Sequence, residues 1–430
     1  DIFIAASEAL GEHPLANQRR IIRQRAANML YANEPELAAK LIFDWLTTAW
    51  NNAREPLSTL GDLELLKGHL EGRNLALKHR WSAEALRHLG KPEDATNHAE
   101  IARAGFEEIG DSENQANCLR LLGHLASEKG DSVEGAELAT RAHEIFTEIG
   151  HVLGMAQSEA VLGEIYYLLG TYDRARVVIQ AGEQHFAELG QPLGRGQCLL
   201  LLSWIDHSEG LTERARRLTL GARTEFETAG YRLGIAQANA SLSHVEHRLM
   251  NFYSAELGAL EALGSFEALR TPRGHAACER LLAMIGIDTD DLDMAEIHAD
   301  LSWNVYSQMR DPWGLIEAKL LGCQIALARR DLPGAHEKLM EAAGISVQEA
   351  EPRQHYLLTQ AWYYIESGDA DKAYESLEAA AEVFGERSRA GDHTPHLLGR
   401  LSRKQWPEHA RNRIDAWRAL LNDRSRRVQE

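Results

Sequence analysis

One stretch decides the fold of this 430-residue chain, residues 154–190, which read GMAQSEAVLGEIYYLLGTYDRARVVIQAGEQHFAELG. Apolar and small side chains recur through its first half at helical spacing until Gly170 interrupts them. A second helical pattern follows, carries Phe186 on its apolar side and closes at Gly190. The stretch therefore predicts two helices joined by a short turn.

This pattern returns every forty residues along most of the chain. The period is carried by three series of glycines, one of aromatic rings and one of alanines: Gly90, Gly130, Gly170 and Gly210; Gly110, Gly150, Gly190 and Gly230; Gly154, Gly194, Gly234, Gly274 and Gly314; Phe106, Phe146, Phe186, Phe226, Phe266 and Tyr306; Ala95, Ala175, Ala215, Ala255, Ala295 and Ala335. Self-similarity at such a period is typical of stacked repeats. We therefore expect an all-α superhelical solenoid whose function lies on a surface.

The order and spacing of six residues resemble the tetratricopeptide repeat: Leu162, Gly163, Tyr166, Gly170, Tyr172 and Ala175. The resemblance covers about eight units, residues 76–385, with Met250, Asp290 and Arg330 in place of the mid-repeat glycine. It implies a right-handed superhelix of helix-turn-helix units. A forty-residue unit is similar to the variant in helical sensor arms of bacterial signalling proteins, such as the maltose-regulon activator, regulatory ATPases, and kinase or cyclase fusions.

The two ends lack the glycine register. Residues 1–75 have helical patterns over 17–32, 35–51 and 58–71, which we interpret as an N-terminal cap or divergent repeats. Residues 386–430 hold eleven Arg or Lys against six Asp or Glu and predict a basic helical cap. Binding of acid, phosphate or nucleic acid by this segment is the alternative. The absence of a starting methionine suggests a fragment of a longer protein.

The composition of the chain argues against several classes of function. A formal net charge of −18 argues against a grip on nucleic acid by the array. No apolar run is long enough for a membrane span and no signal peptide is present, so we expect a cytoplasmic protein. Cys118, Cys198, Cys278 and Cys323 show no metal-ligand spacing and are expected to be reduced core thiols.

The resemblance implies that the first helix of each unit lines a concave groove. One groove position reads Asn117, Gln157, Gln197 and Gln237 in four consecutive units. Such a carboxamide ladder suits the backbone of an extended peptide, although the amides could instead bridge neighbouring helices. The other candidate partner-binding residues, polar or aromatic with polar tips, are Arg120, His124, Glu164, Tyr167, Trp204, His207, His244 and His247, with Arg80 and Arg280 at the flanks.

The sequence holds only weak candidates for metal-binding or catalytic motifs. The spacing of His244 and His247, with His207 one unit earlier, allows a metal, but no thiolate and no zinc-protease pattern accompanies them. The acidic run Asp288–Asp293 lacks the glycine and glutamate of a calcium loop and predicts a solvated turn. The sequence holds no phosphate-binding loop and no nucleophile elbow. We expect no catalytic residues, no metal and no cofactor.

The sequence thus predicts a non-catalytic module that recognises a protein or peptide in its concave face and, as the resemblance implies, reports to an attached effector. Two alternatives stay open. One is a sensor arm of a transcriptional or signalling regulator that encloses a small molecule in a closed apolar pocket of a few hundred Å³. The other is a fragment of an enzyme whose active domain lies elsewhere in a longer chain.

Overall fold

The computed structural model describes residues 37–40, 42–44, 46, 56–64, 66, 70–345 and 350–384. The described residues before 47 are helical. The helices that follow are α1 Pro56–Glu64, α2 Gly72–His88, α3 Pro92–Glu108, α4 Ser112–Glu128, α5 Ser132–Glu148, α6 Val152–Leu168, α7 Tyr172–Glu188, α8 Pro192–Ser208, α9 Thr212–Ala229, α10 Arg232–Arg248, α11 Phe252–Leu269, α12 Pro272–Thr289, α13 Leu292–Met309, α14 Pro312–Ala328, α15 Leu332–Ala343, α16 Ala350–Ser367 and α17 Ala370–Phe384.

From α2 onward the helices pack as consecutive pairs, and each pair packs on the next. The even-numbered helix of a pair is the inner one and also contacts the inner helix of the following unit, as α4 contacts α6. No strand occurs in the described residues. The structure confirms the predicted all-α superhelical solenoid of helix-turn-helix units.

A glycine in the left-handed conformation ends the inner helix in the early units. Gly130 has φ 92°, and its N–H donates to the carbonyl of Ser127 at 3.0 Å while the N–H of Asp131 donates to Ala126 at 2.9 Å. These two bonds satisfy the last carbonyls of α4. The carboxylate of Asp131 then accepts the N–H of Glu134 at 3.1 Å and caps α5. The three residues between the two helices, 129–131, therefore end α4 and begin α5.

The later units keep this turn, and the same turn after the outer helix, without glycine. Five side-chain-bearing residues take the same conformation, with φ between 53° and 63°: Met250, Arg270, Asp290, Arg310 and Arg330. The positions at which the glycine register breaks thus preserve the backbone geometry at a cost in strain. In the acidic run after α12, Asp291 accepts the N–H of Met294 at 3.2 Å, so this carboxylate is a helix cap.

The third glycine series has a packing cause. Each of its members lies against the aromatic ring eight residues earlier, and at Gly194 an added Cβ would lie 2.3 Å from the buried ring of Phe186. Close approach within a pair works the same way, since a Cβ on Gly163 would lie 2.1 Å from Ile179. The forty-residue pattern therefore reflects packing, because the aromatic rings fill the space that the glycines leave between units.

At the N-terminal end, apolar side chains before residue 71 cover the first pair. Phe43, Leu46 and Leu66 are buried in one cluster with Trp81 and Phe106. Residues 1–36, 41, 45, 47–55, 65 and 67–69 of the predicted N-terminal segment, and the whole basic segment 386–430, lie outside the described residues, so both end domains stay predictions.

The superhelix returns to itself after about four units. Arg273, at the start of α12, pairs with Glu128 at the end of α4 at 3.3 Å and with Asp311 at 3.0 Å. Next to this pair, a Cβ on Gly90 would lie 3.6 Å from side-chain carbons of Pro272 and Met309. These residues form what we call the rim contact, which joins one turn of the superhelix to the next.

Within the described ranges, no helix is long and apolar enough to cross a membrane. All four cysteines are free and buried. Burial raises the pKa of Cys118, Cys278 and Cys323 to about 12, so these thiols are inert near neutral pH.

Candidate functional site

The inner helices surround a cavity of about 1310 Å³, and its lining residues run along the chain from Phe43 to His355 on α16. Eleven of the twelve predicted partner-binding residues line it: Asn117, Arg120, His124, Gln157, Glu164, Tyr167, Gln197, Trp204, His207, Gln237 and His244. The exception is His247, which is buried, with its Nε2 2.8 Å from Oδ2 of Asp288. The structure therefore brings the candidates onto one surface, while their role in binding stays a prediction.

The carboxamide ladder divides into two kinds of side chain. Nδ2 of Asn117 donates to the carbonyl of Glu113 in its own helix at 3.1 Å. Gln157, Gln197 and Gln237 are half-buried on the cavity wall and form no hydrogen bond within the described part of the chain. These three amides therefore neither cap nor bridge neighbouring helices within the described residues. Their donors and acceptors face the cavity.

Aromatic rings form the wall beside the ladder. The ring of Trp204 lies 6.1 Å from that of Tyr167, and its Nε1 donates to Oγ of Ser241 on α10 at 2.9 Å. Trp204 also packs against the buried clusters on both sides of α8. Trp204 therefore joins two units. It offers a ring face and little freedom to move.

The three histidines considered for a metal do not converge in the described residues. The rings of His207 and His244 lie 6.4 Å apart, and His247 turns away to Asp288. No group of three or more His, Cys, Asp or Glu side chains in the described residues has a geometry that could hold a metal ion. His244 and His247 are three residues apart on one helix, but His244 lies near His207 of the preceding unit and His247 contacts Asp288 of the following unit.

A charged cluster around Glu128 forms part of the cavity wall. This carboxylate accepts Nη1 of Arg87 at 3.0 Å and also contacts Arg273 of the rim contact. Burial alone would raise the pKa of Glu128, but Arg273 and Arg87 hold it well below its usual range. Only 14% of the Glu128 side chain is exposed. The rim contact therefore joins a largely buried carboxylate, Glu128, to a half-exposed guanidinium, Arg273.

His124 extends this cluster. Its Nε2 lies 3.0 Å from Oε2 of Glu164 and its Nδ1 3.5 Å from Oε1 of Glu128. Burial lowers the pKa of His124, but the charge of Glu164 and hydrogen bonds that the imidazole donates to both carboxylates outweigh burial and raise the pKa to about 9. The imidazole is therefore a cation at neutral pH, and it holds α4 against the carboxylate of α6.

The charge of the cavity wall differs from that of the whole chain. Among the residues that line it, eight are Lys or Arg and seven are Asp or Glu, whereas the chain has 46 and 64. A ligand inside therefore meets a nearly neutral wall on a strongly acidic protein. Sequence reasoning missed Arg87 and Arg273, because their pairing depends on how the units stack and not on the pattern within one unit.

No family model and no curated protein matches the sequence. Solved structures do resemble the fold. A Rap protein complexed with competence and sporulation factor has a TM-score of 0.53 at 14% identity, over 96% of this chain and 99% of that one. NprR in complex with its cognate peptide NprX has a TM-score of 0.56 at 12% identity, over 81% and 99%. The Rap conjugation gene regulator of plasmid pLS20 with the Phr* peptide has a TM-score of 0.53 at 13% identity, over 81% and 97%. These similarities show a helical-repeat fold of the tetratricopeptide type.

Proposed function

We propose that this protein is a non-catalytic regulatory module that binds an extended peptide, or an extended segment of a partner protein, inside its superhelical cavity. The observation that carries the proposal is the row of Gln157, Gln197 and Gln237, which face the cavity without a partner in the described residues. A carboxamide can donate to a backbone carbonyl and accept a backbone N–H. A row of them therefore suits a main chain of any sequence.

The dimensions agree with a peptide. Neighbouring packed helices lie about 8–10 Å apart, so the two intervals between α6, α8 and α10 span roughly 16–20 Å. At about 3.3 Å per residue this length takes roughly five to six residues of extended chain. The cavity of about 1310 Å³ exceeds the roughly 300–1,000 Å³ of common small-molecule sites. Two of the similar structures were solved with a peptide bound.

The test is retention of a random octapeptide pool by the immobilised full chain, with retained peptides identified by mass spectrometry. The triple variant Gln157→Ala, Gln197→Ala and Gln237→Ala should lose most retention. A matched control removes three exposed glutamines from outer helices: Gln180→Ala, Gln184→Ala and Gln308→Ala. This control should retain the pool like the unaltered chain.

Equal helicity of the three proteins, measured by circular dichroism, is the condition for the comparison. If the ladder variant retains the same peptides as the unaltered chain, the ladder does not bind peptide backbone. If the unaltered chain retains no peptide, the proposal fails, and the sensor of a small molecule takes its place. The attached effector expected for such an arm stays part of the proposal.

A further inference from the structure

Arg80 is a cation of the cavity wall that forms no ion pair in the described residues. Its guanidinium stacks over the ring of Trp81, with Cζ 4.4 Å from the ring centroid. In the described structure Arg80 forms no hydrogen bond and no ion pair, and its Nε is shut off from solvent. Burial lowers the pKa of this guanidinium below its ordinary value. A charge held this way, without an anion in contact, is costly unless something supplies the anion.

Two arginines at the same repeat position show what Arg80 lacks. Arg120 lies 3.5 Å from Glu84 on the preceding inner helix, and Arg280 lies 3.6 Å from Glu317 on the following one. Arg80 also lines the cavity, and no ion pair joins it to Asp44, which stands one repeat before Glu84. Arg120 and Arg280 thus each pair with a carboxylate of a neighbouring inner helix. Arg80 has no carboxylate within ion-pair distance in the described residues, although Glu84 and Glu113 favour its charge from farther away.

We propose that Arg80 binds a carboxylate of the cavity ligand through its terminal Nη groups. The inference rests on the proposed function, because the carboxylate is expected to belong to the bound peptide. The stack on Trp81 fixes the plane of the guanidinium, so both Nη groups can donate to the two carboxylate oxygens. The carboxylate is either the C-terminus of the peptide or an Asp or Glu side chain, and the chemistry at Arg80 is the same.

The experiment uses three N-acetylated octapeptide pools on the full chain. The first has a free C-terminus and no Asp or Glu, the second a C-terminal amide with one Asp or Glu, and the third a C-terminal amide without either. The unaltered chain should favour the first or the second over the third, and the favoured pool identifies the source of the carboxylate. Arg80→Gln should weaken binding of that pool about 10- to 100-fold and leave the third unchanged.

Three further variants separate this role from a structural one. Arg80→Lys, which keeps the charge and loses the fork, should restore part of the preference. Arg223→Gln, in an exposed arginine of the outer helix α9 that pairs with Glu227, should leave the preference intact. The ladder variant should weaken all three pools alike. Equal retention of all pools by the unaltered chain, or an unchanged preference in Arg80→Gln, would overturn the inference.

A second readout holds if the proposed function fails and no pool is retained. The Nε–Hε signals of arginine are followed by NMR in chain labelled with ¹⁵N-arginine, and Arg80→Lys assigns the signal of Arg80. Sodium acetate should shift this signal, whereas acetamide at the same concentration should not. No shift with acetate would sink the carboxylate site by itself, whatever the peptide pools show.

Discussion

Replacing Arg273 with glutamine should open the rim contact while the units themselves stay folded. The side chain of Arg273 is 48% exposed, so each of its two ion pairs is screened and contributes about 0.5–1 kcal/mol. Both carboxylates keep a partner, since Glu128 retains Arg87 and Asp311 still accepts the N–H of Gly314. We expect Arg273→Gln to lower the free energy of unfolding by about 1–2 kcal/mol.

Glu128→Gln should cost more. It removes the carboxylate that both arginines share, and Arg87, with only 13% of its side chain exposed, would keep a buried charge without its ion pair. Breaking a pair of this kind costs about 3–5 kcal/mol. Arg223→Gln is the matched control, because Arg223 is similarly exposed but pairs only with Glu227 one turn along its own helix. It should lose no more than about 0.5 kcal/mol.

The assay combines urea unfolding with a distance across the rim. Spin labels on Asp94→Cys and Gln308→Cys, both at exposed positions, report the separation of α3 from α13 by pulsed EPR. The native thiols are buried and should not react with the label. Arg273→Gln and Glu128→Gln should lengthen or broaden the distance distribution, and Arg223→Gln should not. An unchanged distribution in Glu128→Gln, or a larger loss of stability in Arg273→Gln than in Glu128→Gln, would refute the reasoning.

Three further outcomes are expected. Phe186→Ala, at a ring that is 3% exposed, should cost about 3–5 kcal/mol, and a loss below 1 kcal/mol in urea unfolding would contradict the packing of units described above. Met250→Gly should stabilise by about 0.5–1 kcal/mol, because Met250 has φ 62° and an exposed side chain; calorimetry showing a lower melting temperature would contradict this. The pKa of His124 rises on folding from an ordinary 6.5 to about 9, so its contribution is full below pH 6.5 and falls as pH rises through 9. His124→Gln should flatten that slope in urea titrations between pH 6.5 and 9.5, and an equal slope in both proteins would rule the contribution out.

Much of the fold could be predicted because the repeat encodes it locally. The spacing of glycine and of rings such as Phe186 is set by contacts within a unit or between neighbours, and these contacts recur in the sequence at a fixed period. The inner position of Gln157 follows from the same counting. The direction of His247 could not be predicted, since Asp288 lies one unit further along and its reach depends on the angle between units. Nor could the pairing of Arg273 with Glu128.

The rim contact also bears on the order in which the chain folds. Most tertiary contacts join helices that follow one another, or inner helices one unit apart, whereas Arg273 and Glu128 are separated by more than a hundred residues of chain. Closing so long a loop in a disordered chain is entropically costly, so this contact should form only after the intervening units have assembled and set the curvature. Its loss should then leave the folding rate nearly unchanged and act on the unfolding rate. The two successive turns of the superhelix would accordingly be joined last in folding and would be the first parts to separate in unfolding.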